Sequence, residues 1–172
     1  MLEIESKAKV DNLYEIENKL IELNAKFVCE EFHEDLYFNH ACRDFSRTDE
    51  ALRLRKVGDK VFLTYKGPKI DKKTKTREEF EVEVNNFNNM REILKKLNFI
   101  EVTTIRKKRR YFKLREYTVC LDEVENLGYF VEIEKKTGEY NPEELLKLLK
   151  KLKAKQIITK SYLEMVIEQE SG

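Results

Sequence analysis

Charged residues recur at every second position in several separate segments, and this parity constrains the fold more than any other feature of the chain. Glu3, Glu5 and Lys7 share one strand face, as do Arg53 and Arg55, Glu79 and Glu81, Lys107 and Arg109, and Glu132 and Glu134. Successive side chains of a strand point to opposite faces, so each set stands on one side of a sheet. In four of these strands the other face is largely apolar: Leu2 and Ile4, Leu52 and Leu54, Phe80 and Val82, Val131 and Ile133. Two architectures satisfy the pattern. An ordinary antiparallel sheet rests its apolar face on a core and leaves the charges in water. Alternatively, helices cover the apolar face and the charges line an interior. Clustered charges are costly to desolvate unless they pair or hold a ligand, so the second architecture requires a highly charged guest.

The segments between these strands read as helices and turns. Asp11 is placed to cap a helix carrying Leu13, Ile16, Leu20 and Leu23 at helical spacing. A strand is expected around residues 30–38, followed by a polar loop over 39–49. Strands over 51–56 and 61–66 meet at Gly58-Asp59 in a tight hairpin, and Gly67-Pro68 ends the second. Residues 69–75 read as a Lys-rich mobile loop. After a strand over 77–84, Asn86 or Asn88 caps a helix with Met90, Ile93, Leu94 and Leu97. A long strand over 102–114 and a strand pair over 117–123 and 129–135 follow. Asn141-Pro142-Glu143-Glu144 is a helix start, with Leu145, Leu148, Leu149 and Leu152 as its apolar stripe. A last helix runs from Ser161 to about 168. Each half reads strand, helix, strand, strand, strand. The expectation is therefore a single domain over 1–172 with an internal duplication, halves about 1–75 and 76–172. Its expected fold is α+β, a closed antiparallel β-barrel of about eight strands with a charged interior and helices packed outside.

Composition narrows the function. Basic residues number 34 against 33 acidic, a net charge of +1, whereas a dedicated nucleic-acid binder shows a basic excess. No apolar run approaches a membrane span, and the first residues lack the basic and apolar regions of a signal peptide. Cys29, Cys42 and Cys120 are odd in number and have no CxxC spacing, which argues against a disulfide framework or a zinc site. A cytoplasmic setting fits best. For a charged interior, a triphosphate with a divalent metal meets the chemistry: carboxylates supply hard oxygen ligands, while Lys and Arg neutralise phosphate oxygens. On the residues alone, a solvated sheet or a binder of another polyanion stays open.

The sequence resembles the CYTH family, the triphosphate tunnel metalloenzymes, whose signature is an N-terminal ExExK strand. Here that strand is Glu3-Ile4-Glu5-Ser6-Lys7. Further matches follow in order: Asp35-Leu36-Tyr37-Phe38, Thr48 through Arg55, Leu63 through Pro68, Arg77-Glu78-Glu79-Phe80-Glu81, Lys107-Lys108-Arg109, Leu121 through Val124, Leu127 through Glu134, and Ser161-Tyr162-Leu163-Glu164. The stretch from Asp44 through Pro68 looks most like the class IV adenylyl cyclase branch. Ala41 departs from it, standing in a loop where related sequences often carry Pro.

The resemblance implies site roles. Glu3, Glu5, Glu132, Glu134 and Asp122 would form the metal set for Mg2+ or Mn2+. Lys7, Arg53, Arg55, Lys66, Arg77, Lys107 and Arg109 would hold the triphosphate. Lys7, Asp122 and Glu132 are the catalytic candidates, Asp122 as a general base. Arg55 and Arg77 would contact phosphate or brace carboxylates, and Glu79 and Glu81 are read as salt-bridge partners rather than metal ligands. The implied activity is conversion of ATP to cyclic AMP and pyrophosphate. The alternative is hydrolysis of an inorganic, thiamine or nucleoside triphosphate. A third reading, a non-catalytic binder of polyphosphate or RNA, rests on the basic runs at 69–75 and 106–110, which solvated surface explains better. His33 and His40 read as structural or solvent-exposed. The resemblance also allows a homodimer, since family members are often dimers.

Overall fold

The structure is a computed structural model that describes residues 2–70, 76–136 and 141–172, without the side chains of Leu2 and Glu3. In chain order its elements are β1 (Leu2–Val10), α1 (Leu13–Glu22), β2 (Lys26–His40), α2 (Phe45–Thr48), β3 (Ala51–Val57), β4 (Lys60–Lys66), β5 (Arg77–Val84), α3 (Phe87–Lys96), β6 (Phe99–Leu114), β7 (Tyr117–Val124), β8 (Gly128–Lys136), α4 (Pro142–Lys151), β9 (Gln156–Ile158) and α5 (Tyr162–Ser171).

The strands form one antiparallel sheet in the order β5-β4-β3-β2-β6-β7-β8-β1-β9. The expected closed barrel of about eight strands is therefore corrected to a nine-stranded sheet that does not close along its length. The sheet curls until β5 reaches β1, but the two pair only at Leu2↔Glu78 and Glu3↔Arg77. The reason lies in β9, a strand absent from the sequence reading. It pairs with Lys7, Ala8 and Lys9, taking the edge of β1 that a full β1–β5 ladder would need.

Local chemistry sets the helices. The cap of α1 is Asn12, not Asp11: Asn12 Oδ1 accepts from the Tyr14 N–H at 2.8 Å. Asn86 caps α3. Ser161 and Glu164 form a reciprocal capping box at the start of α5. The segment read as a polar loop contains α2, capped by Asp44. Gly58 turns the β3–β4 hairpin at φ +56°, a conformation costly for most residues with a Cβ.

Among the described residues three apolar clusters lie against the sheet. Ile4 and Ala8 of β1, Val119 and Leu121 of β7, and Val131 and Ile133 of β8 pack against Ile16 and Leu20 of α1 and the Leu145, Leu148, Leu149 and Leu152 stripe of α4. Leu36, Phe38, Leu52, Leu54 and Val61 meet Phe45 of α2 and Leu94 of α3. Ile105, Val124, Leu127 and Phe130 meet Tyr162 of α5. Burying one such Leu side chain stabilises by about 1.5–3 kcal/mol. Helix cover is incomplete. Phe80 and Val82 of β5 are each 57% exposed, and α3 leaves Ile93 and Leu97 in solvent. The apolar face read on β5 is thus not a covered face.

Candidate active site

The charged faces converge on the concave side of the sheet. Glu5, Lys7, Asp35, Arg53, Arg77, Lys107, Arg109, Asp122 and Glu132 are all buried. An ordinary sheet with its charges in water is thereby excluded for these strands. A cavity of ≈ 380 Å³ opens there, and Arg53, Arg55, Lys66, Arg77, Lys107 and Arg109 all line it, together with Glu5, Glu132 and Glu134.

Register explains the carboxylate cluster. Glu5 of β1 stands directly opposite Glu134 of β8, and Lys7 opposite Glu132. Each of Glu5, Glu132 and Glu134 offers an oxygen within 4.8 Å of the others. Like charges directly opposite on a sheet repel, so the arrangement calls for cationic compensation. Arg109 supplies part of it, at 2.8 Å from Glu132 and 3.4 Å from Glu134. Three hard oxygen donors on two rigid strands also fit a divalent cation such as Mg2+, whose remaining positions go to water and phosphate. Asp122 is not in this cluster, and the Glu3 side chain lies outside the described residues.

Asp122 is instead the hub of a buried knot. Arg109 donates to it with two bonds of 2.6 Å each, Tyr162 donates its hydroxyl at 2.6 Å, and Lys107 lies 3.7 Å away. Burial works against the Asp122 charge, but Arg109 and Lys107 outweigh it and hold the carboxyl below its usual range. Lys107 is pushed down to about 8, first by burial and then by Arg109. The Tyr162 hydroxyl is pushed up, by burial and then by Asp122, so it stays a proton donor to Asp122.

The other wall is built from separate pairs. Arg55 grips Asp35 through bonds of 2.6 and 2.8 Å. Burial opposes the Asp35 charge, yet Arg55 holds the carboxyl well below its usual range. Lys66 pairs with Glu79 at 2.9 Å. Thr64 donates to Glu81 at 2.8 Å and accepts from Arg53 at 3.1 Å, which leaves the buried Arg53 Nε without a hydrogen-bond partner among the described residues. Arg77 lies 3.7 Å from Asp49. Glu79 and Glu81 are ion-pair partners, as the sequence suggested.

Lys7 differs from the other cations. It is fully buried and is not among the cavity-lining residues. Its Nζ sits 3.8 Å from the centroid of the Tyr162 ring, which does line the cavity. His33 is buried, with Nε2 2.8 Å from Glu31. Burial, followed by Arg55, Lys107 and Arg109, lowers its pKa to about 2, so the ring is neutral. Sequence reasoning missed Asp35 and Tyr162 as site residues. The i, i+2 set His33, Asp35 and Tyr37 opposite Arg53 and Arg55 was a usable signal for Asp35. Tyr162 stood within the matched segment Ser161-Tyr162-Leu163-Glu164, but a Tyr on a short helix reads as core.

These features define a charged concave site on a CYTH-like sheet, and comparison with known proteins agrees. The CYTH domain pattern matches residues 1–165, so the chain belongs to the CYTH domain family, whose tunnel enzymes bind triphosphate substrates and depend on divalent cations. The chain is 46% identical over 172 residues to the Methanocaldococcus jannaschii protein named "Putative adenylate cyclase MJ0240", covering 96% of this chain and 98% of that one. Among solved structures, PH1819 from Pyrococcus horikoshii OT3 superposes with a TM-score of 0.90 at 43% identity, covering 97% of this chain and 99% of that one. PH1012 from the same organism gives 0.83 at 34% identity, with 94% and 98% covered. Among the described residues no helix is long and apolar enough to cross a membrane.

Proposed function

We propose that the protein converts ATP to cyclic AMP and pyrophosphate. The observation that carries this reading is the convergence of two sets on one cavity: the oxygen donors Glu5, Glu132 and Glu134, and the cations Arg53, Arg55, Lys66, Arg77, Lys107 and Arg109. The name of the Methanocaldococcus jannaschii relative favours the cyclase branch. So does the apolar part of the lining, Phe38, Phe45, Val102, Leu163 and Ile167, which suits a nucleoside better than a bare polyphosphate.

Glu5, Glu132 and Glu134 would hold Mg2+ or Mn2+. A divalent cation there would supply Lewis-acid stabilisation of phosphate charge. Arg53, Lys66, Arg77 and Lys107 form a preorganised clamp for the triphosphate oxygens. Arg55 and Arg109 act mainly as braces, since Asp35 and Asp122 occupy their forks. In the reaction the ribose 3′ oxygen bonds to the α-phosphorus, the bond from that phosphorus to the bridging oxygen of pyrophosphate breaks, and the hydroxyl proton is released. Asp122 is assigned to bracing rather than to taking that proton. Its oxygens already accept from Arg109 and Tyr162, and its pKa is held down.

The second reading is a triphosphatase, in which water attacks the terminal phosphorus. The same clamp serves either reaction, and the products separate them. ATP and inorganic triphosphate should be incubated side by side with Mg2+ and with Mn2+. Cyclic AMP with pyrophosphate is expected from ATP. Orthophosphate as the dominant product from both substrates would overturn the cyclase in favour of the triphosphatase.

A further inference from the structure

One row of side chains crosses the open wall in direct register. Arg53 of β3 stands opposite Thr64 of β4, and Thr64 stands opposite Glu81 of β5. Neighbouring strands are about 4.8 Å apart, so Arg53 and Glu81 reach towards each other across the strand between them. Arg53 and Glu81 line the cavity, and Thr64 is fully buried. Arg53 Nη2 lies 3.1 Å from Thr64 Oγ1, which lies 2.8 Å from a Glu81 oxygen. The direct separation of Arg53 and Glu81 is 3.6 Å, longer than a hydrogen bond.

Chemistry fixes the direction of both bonds. A guanidinium can only donate and an ionised carboxylate can only accept, whereas a hydroxyl does both. Thr64 can therefore stand between them; a Val of the same shape could not. Its β-branched side chain is stiff at χ1. Two neighbouring pairs show what happens with no hydroxyl between. Lys66 and Glu79 stand directly opposite and meet at 2.9 Å. Arg55 and Asp35, also directly opposite, close a fork of 2.6 and 2.8 Å. Arg53 is instead tied through Nη2 to a neutral oxygen, and its Nε has no hydrogen-bond partner among the described residues.

We propose that Thr64 is a positioning residue for triphosphate binding: its hydroxyl anchors the Arg53 guanidinium at the cavity wall and stops the Glu81 carboxylate from closing directly on it. Arg53 stays ion-paired with Glu81 at the longer distance; what Thr64 sets is where the guanidinium is held. Without the hydroxyl the two charged groups would meet above β4, and the guanidinium would swing towards β5. The role rests on the reading of the site as a triphosphate clamp, and the experiment separates the two.

The test is calorimetric titration of the full chain with inorganic tripolyphosphate at fixed Mg2+. Arg53→Met should weaken binding about 30-fold and Thr64→Val about tenfold, the scale of hydrogen bonds to charged groups. Thr64→Ser, which keeps the hydroxyl, should stay within about twofold of the wild type. Thr64→Val should cost less affinity in the Glu81→Gln background than in the wild type, because no carboxylate is left to draw the guanidinium away. Equal losses in the two backgrounds would mark Thr64 as a merely structural residue and overturn the proposal. So would unchanged affinity in Thr64→Val, or a loss in Thr64→Ser as large as in Thr64→Val. Unchanged affinity in Arg53→Met would overturn it too, while leaving the clamp standing. A wild type that does not bind tripolyphosphate removes the clamp itself, and this inference with it. Far-UV circular dichroism checks each variant for folding. If Thr64→Val does not fold, Thr64→Ser decides alone: binding within about twofold of the wild type supports the role of the hydroxyl, and a greater loss rejects it.

Discussion

The two walls of the cavity are built from the same sequence device, charges at alternate strand positions, and end in different physical states. On the wall formed by β6, β7, β8 and β1, the side chains of Asp122, Glu132 and Arg109 are 0%, 6% and 5% exposed and share one knot. On the wall formed by β4 and β5, Lys66 and Glu79 are 21% and 16% exposed, and Glu81 is 43% exposed. The difference follows from position. The back of the first wall is sealed by α1 and α4, and β6, β7 and β8 have long ladders on both sides. β5 ends the strand order, meets β1 over two residues only, and shows Phe80 and Val82 to solvent behind it. Charge patterning thus brings groups together, while helix cover and strand neighbours decide whether they are desolvated.

The sharpest way to break this comparison is to remove one carboxylate from each wall. Asp122→Ala would leave Arg109 and Lys107 buried beside an empty place, which costs about 3–5 kcal/mol. Glu81→Ala acts on a half-exposed pair and should cost less than about 1 kcal/mol after solvent screening. Chemical denaturation of the two variants checks the contrast; equal losses would show that the walls do not differ.

Next in size on the whole protein is Glu5→Ala. It removes one of the three cluster oxygens and relieves the repulsion with Glu134 across the strand pair. The fold should therefore be retained, with a melting temperature near that of the wild type, while metal-dependent turnover is lost by about 100-fold or more. Retained turnover at ordinary Mg2+ would take Glu5 out of the site.

The third prediction concerns pH. His33 is neutral in the fold, its pKa lowered to about 2 from 6.5. Below 6.5 the unfolded chain binds a proton at this residue that the folded chain does not. Stability should therefore be fully present above about 6.5 and fall with pH below it, by at most about 1.4 kcal/mol per unit. The loss from His33 continues towards the folded value. The carboxyl of Asp35, also held low, adds its own loss only once the pH falls below the usual aspartate range. Melting curves between pH 6.5 and 4.5 should accordingly be flatter for His33→Gln than for the wild type. Parallel curves would show that His33 is charged in the fold.

Much of this was legible in the sequence. The period-2 charge sets at Glu5, Arg53, Lys107 and Glu132 located the concave face, because side-chain direction along a strand needs no knowledge of the partner strand. The α4 stripe was legible for the same reason, with period 3.6. The failures arose where a long-range choice decided. Whether β1 closes on β5 depends on what takes its free edge, and the taker is a three-residue strand, Gln156–Ile158, too short to carry a pattern of its own. Phe80 and Val82 alternate as a covered face would, but alternation does not say that a helix arrives. Tyr162 meets partners on β1, β6 and β7, none near it in the chain.

The smallest expected effect tests how the open wall is tied to the rest. Lys69, just beyond β4, reaches Glu164 of α5 at 3.0 Å and Asp49 at 3.3 Å, and its backbone N–H donates to Asp49 at 2.8 Å. Asp49 also lies near Arg77 of β5, so a single lysine links the α2–β3 turn, the exposed wall and α5. Lys69 is 18% exposed, but Glu164 and Asp49 are 42% and 41% exposed, and screening at those ends limits the contribution. Lys69→Met should cost about 0.5 kcal/mol and shift the melting temperature by a degree or two. That difference should vanish in 1 M salt, where the Debye length falls to about 3 Å. Asp122→Ala, in the desolvated wall, should keep most of its loss at the same salt concentration. If both losses persist in high salt, the link is a packing contact rather than an ionic one, and the contrast between the walls is smaller than their exposures suggest.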